Sequence, residues 1–161
     1  MTLSELAPTS LAVLDRYTQL AGSVLDAPVV CVSLLTADNR LLACSHGLPL
    51  PIALLHSWSL MRCVASSGCP LLITDGREDP LAAENPSVRD GDVVSFMGIR
   101  IVASHGHPVG TLSVMDQRPR QWSFLQIGFL QYLSALLVRE FVSRNDAGFS
   151  DAVWRQGWES N

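Results

Sequence analysis

The chain has 161 residues, 48% of them hydrophobic and 16% charged, with a formal net charge of −4. A chain of that length buries roughly 70% of its unfolded surface without help from metal or disulfide. The composition excludes a disordered chain, and the acidic balance argues against a dedicated nucleic-acid binder, which works by neutralising phosphates. All 11 basic residues are arginine, which excludes a lysine Schiff base, a lysine general base and a phosphate-binding P-loop.

The first eight residues, Met1 to Pro8, carry neither a basic residue nor an apolar run, unlike a secretory leader. The apolar stretch from Phe124 to Val138 is interrupted by Gln126, Gly128, Gln131 and Ser134. It is too short and too polar to span a bilayer. A cytoplasmic location is therefore expected, with Cys31, Cys44, Cys63 and Cys69 as reduced thiols. There is no Cys-x-x-Cys pair and no zinc spacing. The cysteines read as small buried hydrophobes, except Cys69, which sits in a Ser-Ser-Gly-Cys-Pro turn.

Residues 10–25 repeat apolar groups at steps of three and four, in two stripes: Leu11, Leu14, Thr18, Ala21 and Leu25, then Val13, Tyr17, Leu20 and Val24. So wide an apolar arc predicts a helix with more than one surface to cover. Gly22 is an internal weak point in it, worth roughly 1 kcal/mol. Residues 28–35 are apolar at both parities, which predicts a strand covered on both faces. Ala37 to Arg40 is a turn and Leu41 to His46 the returning strand. Pro49 and Pro51 keep the next stretch out of regular pairing.

Leu60 to Ser67 reads as a short helix ended by Gly68 and Pro70. Leu71 to Thr74 is a short buried strand. Asp75 to Asp92 is the polar segment of the chain, with one helical turn expected at 80–85. Two more strands, 93–102 and 108–115, flank a turn around Gly106 and form a second hairpin. The last helix, 121–143, again carries two stripes: Ile127, Leu130, Leu133, Leu137 and Phe141, then Leu125, Phe129, Tyr132 and Leu136. Hairpins between terminal helices predict an α+β fold. An antiparallel sheet of about five to six strands has the terminal helices on one face and a loop and short helix on the other.

Several segments resemble bacterial GAF domains. Pro70-Leu71-Leu72-Ile73-Thr74-Asp75 with Asp79-Pro80 and Asn85-Pro86 is similar to the middle of that family. So are Val94 to Ile99, Pro108 to Asp116 and Arg118-Pro119, and the stretch from Ala27 to Asp38 resembles its first hairpin. The resemblance covers residues 9–143, leaving 1–8 as an N-terminal tail and 144–161 as a C-terminal tail or the start of a linker to an output domain. It implies a small-molecule sensor that holds its ligand between the sheet and the central segment. It also implies a homodimer formed through residues 10–25 and 121–143, with Leu125, Phe129, Tyr132 and Leu136 facing outward. The chain departs from better-defined subfamilies. It has no lysine for the cyclic-nucleotide signature, and no cysteine beyond position 69 for a bilin thioether or a methionine-sulfoxide reductase. Met61 stands where many relatives have Cys, and Arg100 where they commonly have Pro.

The expected ligand-binding residues are Trp58, Met61, Asp75, Phe96, Gly98 and Arg100, with no cofactor, no metal and no catalytic residue. Trp58 either stacks on a planar ligand or plugs the core. His56 reads as a turn residue rather than a metal ligand, and His105 and His107 as a solvated hairpin tip. Arg100 shares a face with Phe96 and Gly98. If that face is the pocket, its guanidinium suits one carboxylate; otherwise it is a solvated edge charge. Asp75 and Asp79 are expected at the pocket rim, where they repel further anions. The function expected is therefore a non-enzymatic sensing and dimerisation module of a bacterial signalling protein. The alternatives are a thiol oxidoreductase using Cys63 and Cys69, or a ligand-free scaffold whose pocket is filled by Trp58, Phe96 and Met97.

Overall fold

The computed structural model describes residues 8–35, 41–47, 60–102, 106 and 108–144. In chain order they form α1 (Pro8–Leu25), β1 (Val29–Leu35), β2 (Leu41–His46), α2 (helical over 60–67), β3 (Leu71–Ile73), α3 (Pro86–Arg89), β4 (Ser95–Val102), β5 (Pro108–Asp116) and α4 (Phe124–Arg144). The strands make one antiparallel sheet in the order β2-β1-β5-β4-β3. The α+β architecture expected from the hairpins is the one observed.

Alternation along each strand and the register between strands sort the sheet into two faces. On one face lie Val30, Val114 and Met97 in one row, Val32, Leu112 and Ile99 in the next, and Leu34, Gly110 and Ile101 in the third. They join Leu14, Ala21, Leu25, Leu130, Leu133 and Leu137 of α1 and α4 in one buried core. On the opposite face, Val29, Met115, Phe96 and Ile73 form a row that packs with Leu60, Met61 and Val64 of α2 and with Val88 and Val93 of the polar segment. Each face has its own core, which is why β1 and β5 are apolar at both parities.

α1 lies over β1 and β2, and α4 over β4. Gly22 is where α1 meets the sheet rather than a weak point alone. A methyl there would stand 3.2 Å from His46 Cδ2 and 3.3 Å from the Ala27 carbonyl. The two helices run antiparallel, tied at both ends. Arg16 donates to both carboxylate oxygens of Glu140 at 2.5 and 2.6 Å. Arg120 donates to the carbonyls of Leu25 at 2.5 Å and Asp26 at 2.9 Å. α4 opens on a capping box, in which the Ser123 N–H donates to Gln126 Oε1 and the Gln126 N–H to Ser123 Oγ.

The polar segment is held by its own carboxylates and amides. Leu81 N–H donates to Asp79 Oδ1 at 2.8 Å, and Ser87 N–H to Asn85 Oδ1 at 2.9 Å. The regular helix lies at Pro86–Arg89, after the expected 80–85, which form turns. Asn85 is an N-cap followed by proline at N1, so helix starts there. The edge strand β3 is also less buried than expected, with Leu72 exposed beside buried Ile73.

The connection from β5 to α4 stitches these parts together. Arg120 N–H donates to the Thr74 carbonyl at 3.0 Å, and its guanidinium reaches Asp116 Oδ2 at 3.3 Å and lies 4.8 Å from the Trp122 ring centroid. Trp122 Nε1 donates to the Ile73 carbonyl at 3.2 Å. One arginine thus joins the end of α1, the end of β5 and the start of α4. Arg120→Ala is expected to lower stability by about 2 kcal/mol, from two lost carbonyl bonds and a half-buried ion pair. Arg120→Lys should recover little of it, because an ammonium lacks the planar fork. Urea unfolding with an unchanged denaturant slope measures both.

Candidate functional site

The residues singled out for chemistry fall mostly on the α2 face of the sheet. Two rows carry them. One is Cys31, Ser113, Gly98 and Leu71; the next is Ser33, Thr111 and Arg100. Ser33, Ser113 and Thr111 are buried. Ser33 and Thr111 share a hydroxyl–hydroxyl bond of 2.9 Å, and Ser33 Oγ also donates to Met61 Sδ at 3.7 Å. Ser113 Oγ donates to the Cys31 carbonyl at 3.3 Å. A sulfur atom from α2 therefore caps a short line of hydroxyls in an otherwise apolar core.

Gly98 shows how closely α2 approaches. A methyl on it would stand 2.6 Å from Phe96 Cε1 and 2.7 Å from Val64 Cγ2. The space that glycine leaves is taken by the Phe96 ring and by Val64, and Phe96, Met61 and Val64 are all fully buried. This part of the face is packed protein rather than open volume.

Arg100 is in the next row outward. It lies on the same face as Phe96 and Gly98, between buried Ile99 and Ile101 on the other, and is itself half-buried. Parity alone leaves two faces open; register with β5 assigns Arg100 to the α2 side. Its guanidinium lies against Gly68, the glycine at φ +77° beyond α2, with Nη2 3.4 Å from where a Cβ would be.

Asp75 is elsewhere. Gly76 N–H donates to the Val94 carbonyl at 2.6 Å, so the start of the polar segment lies beside the beginning of β4. Six extended residues separate Val94 from Arg100, about 20 Å. Asp75 also has a partner: Arg77 Nε and Nη2 reach its carboxylate at 2.8 and 2.6 Å. That hydrogen-bonded guanidinium holds the Asp75 carboxyl below the usual range, against a smaller upward effect of desolvation. The structure thus brings Met61, Phe96, Gly98 and Arg100 to one face, with Asp75 at its far end. Asp79 caps a turn in the same distant segment. Trp58, His56, His105 and His107 lie outside the described residues. Among the described residues, no group of three His, Cys, Asp or Glu side chains is arranged to hold a metal. Sequence reasoning passed over Ser33, Thr111 and Val64. The signal for Ser33 was its isolation as the polar residue in Val29–Leu35, at the parity of Cys31.

Cys31 is buried and Cys69 exposed, as expected, whereas Cys63 is only half-buried; the side chain of Cys44 lies outside the described residues. The outer surface of the helix pair carries large apolar side chains among polar ones such as Asp15, Arg16, Gln19, Gln131 and Arg139. Phe124, Leu125 and Tyr132 of α4 are 93%, 86% and 64% exposed, and Leu20 and Val24 of α1 are 45% and 55% exposed. Phe129 and Leu136, expected to face outward with them, are partly buried against the helix-side core. No helix among the described residues is long and apolar enough to cross a membrane.

Comparison with known proteins agrees with this architecture. The GAF domain model matches residues 10–141. The GAF domain of an Acinetobacter phosphoenolpyruvate-protein phosphotransferase superposes with a TM-score of 0.63 at 20% identity, covering 91% of this chain and all of that one. A GAF domain/HD domain protein from Geobacter sulfurreducens gives 0.61 at 17% identity, over 87% of this chain and 97% of that one. The blue-light absorbing form of the Thermosynechococcus elongatus PixJ GAF domain gives 0.59 at 18% identity, over 86% and 91%. No curated protein matches the sequence. With its family model spanning both terminal helices and the whole sheet, the chain belongs to the GAF domain family.

Proposed function

We propose that the chain is a non-enzymatic module of a bacterial cytoplasmic signalling protein, one that senses a small molecule and dimerises through its terminal helices. The observation that carries the reading is the division of labour between the two sides of the sheet. The α2 side holds a line of hydroxyls and a guanidinium in a core that is otherwise apolar. The α1 and α4 side presents Leu20, Val24, Phe124, Leu125 and Tyr132 to solvent. An exposed apolar surface on two neighbouring helices suits a twofold helical interface. The family membership fits a sensory role, and the antiparallel helix pair offers the rigid surface that a dimer needs.

A second reading is favoured by the packing over Gly98. Phe96, Met61 and Val64 fill that space, as they would in a scaffold that binds nothing. A thermal-shift ligand screen of the wild type, run beside the space-opening variant Val64→Ala, distinguishes the two. The substitution removes two methyl groups from above Gly98 and costs about 1–3 kcal/mol if the site stays collapsed. In a sensor, ligands recovered by a thermal-shift screen raise the melting temperature of wild type and variant alike. In a scaffold, no compound stabilises the wild-type chain.

Dimerisation is tested with Leu125→Glu. Leu125 is the better position than Phe129, whose ring contributes to the core of the monomer. Light scattering should show a dimer for the wild type and a folded monomer for the variant, because an unpaired charge buried in the interface costs several kcal/mol there and little elsewhere. A monomeric wild type at high micromolar concentration contradicts the proposal. The thiols are expected to be structural, so Cys63→Ser with Cys69→Ser should leave assembly and any ligand response unchanged. A stoichiometric Cys63–Cys69 disulfide formed by peroxide, with altered assembly, would favour the oxidoreductase instead.

A further inference from the structure

Arg100 is out of keeping with its strand. The residues before it from Ser95 are buried, Ile101 after it is buried, and it lies in a row with two buried hydroxyls. A guanidinium stays charged at any physiological pH. Taking it partly out of water without a counter-charge is unfavourable. Arg16, Arg77 and Arg120 each have a carboxylate. Among the described residues, none pairs with Arg100, and no hydrogen-bond acceptor does. The acids expected near it, Asp75 and Asp79, belong to the far end of β4, and Asp75 is already neutralised by Arg77. Gly68 beside it is exposed, as are Ser66 and Ser67 before it at the end of α2. Position 68 lies within van der Waals reach of the guanidinium, since a methyl there would stand 3.4 Å from Nη2, and Arg100 keeps part of its surface in solvent.

We propose that Arg100, at the α2-side end of β4 beside Gly68, is the anchor for the carboxylate of a small organic acid. The proposal rests on the sensor reading above and names its ligand class. A planar fork pairs with a planar carboxylate through two parallel bonds. One guanidinium balances one charge. With no lysine in the chain, a phosphate dianion would keep an unpaired charge in a partly desolvated place. Thr111 is the neighbour of Arg100 in the row, about 4.8 Å away, and Ser33 is the next. The ligand body therefore meets the polar part of the face, beyond the packed region over Gly98. The competing role for Arg100 is to offset the partial negative charge at the end of α2. That role needs no ligand.

The test uses the whole chain labelled with 15N-arginine, titrated with acetate and benzoate and with their neutral counterparts acetamide and benzamide at constant ionic strength. The Arg100 Nε–H resonance is assigned by its loss in Arg100→Gln. The expected result is a saturable shift of that resonance with an acid and none with its amide. Saturation-transfer signals of the acid should then show about tenfold weaker binding to Arg100→Gln. The inference is overturned if the acids shift Arg100 no more than the exposed Arg89, Arg118 and Arg139. It is also overturned if acids bind Arg100→Gln undiminished, or if inorganic phosphate binds wild type as tightly as the acids. A lower melting temperature for Arg100→Gln with no ligand signal from wild type assigns Arg100 to the helix end alone, which also overturns it. If Arg100→Gln does not fold, Arg100→Lys takes its place, with the same weakening expected from loss of the fork. Amides that bind where acids do not leave the sensor reading standing without this inference. If neither class binds while the dimer persists, both fall in favour of the scaffold.

Discussion

Everything else in this molecule depends on a five-stranded sheet that is buried on both faces. An antiparallel sheet with one wet face needs one core; this one needs two, and both must come from a chain of 161 residues. The terminal helices supply one cover. α2 and the polar segment supply the other. Because side chains alternate, each residue of β1, β4 and β5 is committed to one cover or the other, and a slip of one position would exchange the two sets. The register is held by the full lengths of β4 and β5 and by close backbone contact at Gly110, where a methyl would stand 2.0 Å from the Ser33 carbonyl.

The two covers differ in character, and the difference suits two tasks. The helix-side core is built of apolar residues, Met97 among them, and several large apolar side chains of its helices face outward. The α2 side mixes sulfur, hydroxyls and a guanidinium with its apolar residues. Between them runs the β5–α4 connection, where Ser95 Oγ donates to the Arg118 carbonyl at 2.7 Å and Arg120 and Trp122 bind β3 and the end of α1. The sheet edge and the helix pair share these bonds.

Much of the fold was legible because its signals are local. Val29–Leu35 is apolar at both parities, and the last helix has two stripes, so a doubly covered sheet and a helix with an outer apolar surface follow directly. The rest required distance. The face of Arg100 depends on pairing between β4 and β5, which no single strand reveals. The separation of Asp75 from Arg100 likewise depends on pairing: β3 and β4 are antiparallel, and the chain leaves β3 at the end opposite Arg100. Phe129 and Leu136 lie on the outward stripe by spacing, yet both pack against the helix-side core and are partly buried. Gly22 is a weak helix former by propensity alone; the ring of His46 explains its place. The helix at Pro86–Arg89 was displaced from 80–85 because Asn85-Pro86 is the stronger start signal.

Hydroxyl-radical footprinting across a range of protein concentrations tests the central claim most directly, because it reads both covers and the outer surface in one sample. Methionine is among the most easily oxidised side chains, and Met61, Met97 and Met115 lie buried, two on the α2 side and one under the helices. They should stay unmodified at every concentration. Phe124, Leu125 and Tyr132 should react freely in dilute protein and lose reactivity together as dimers form. Ready oxidation of Met61, or an outer surface equally reactive at all concentrations, would contradict a sheet covered twice whose helix pair serves as the interface.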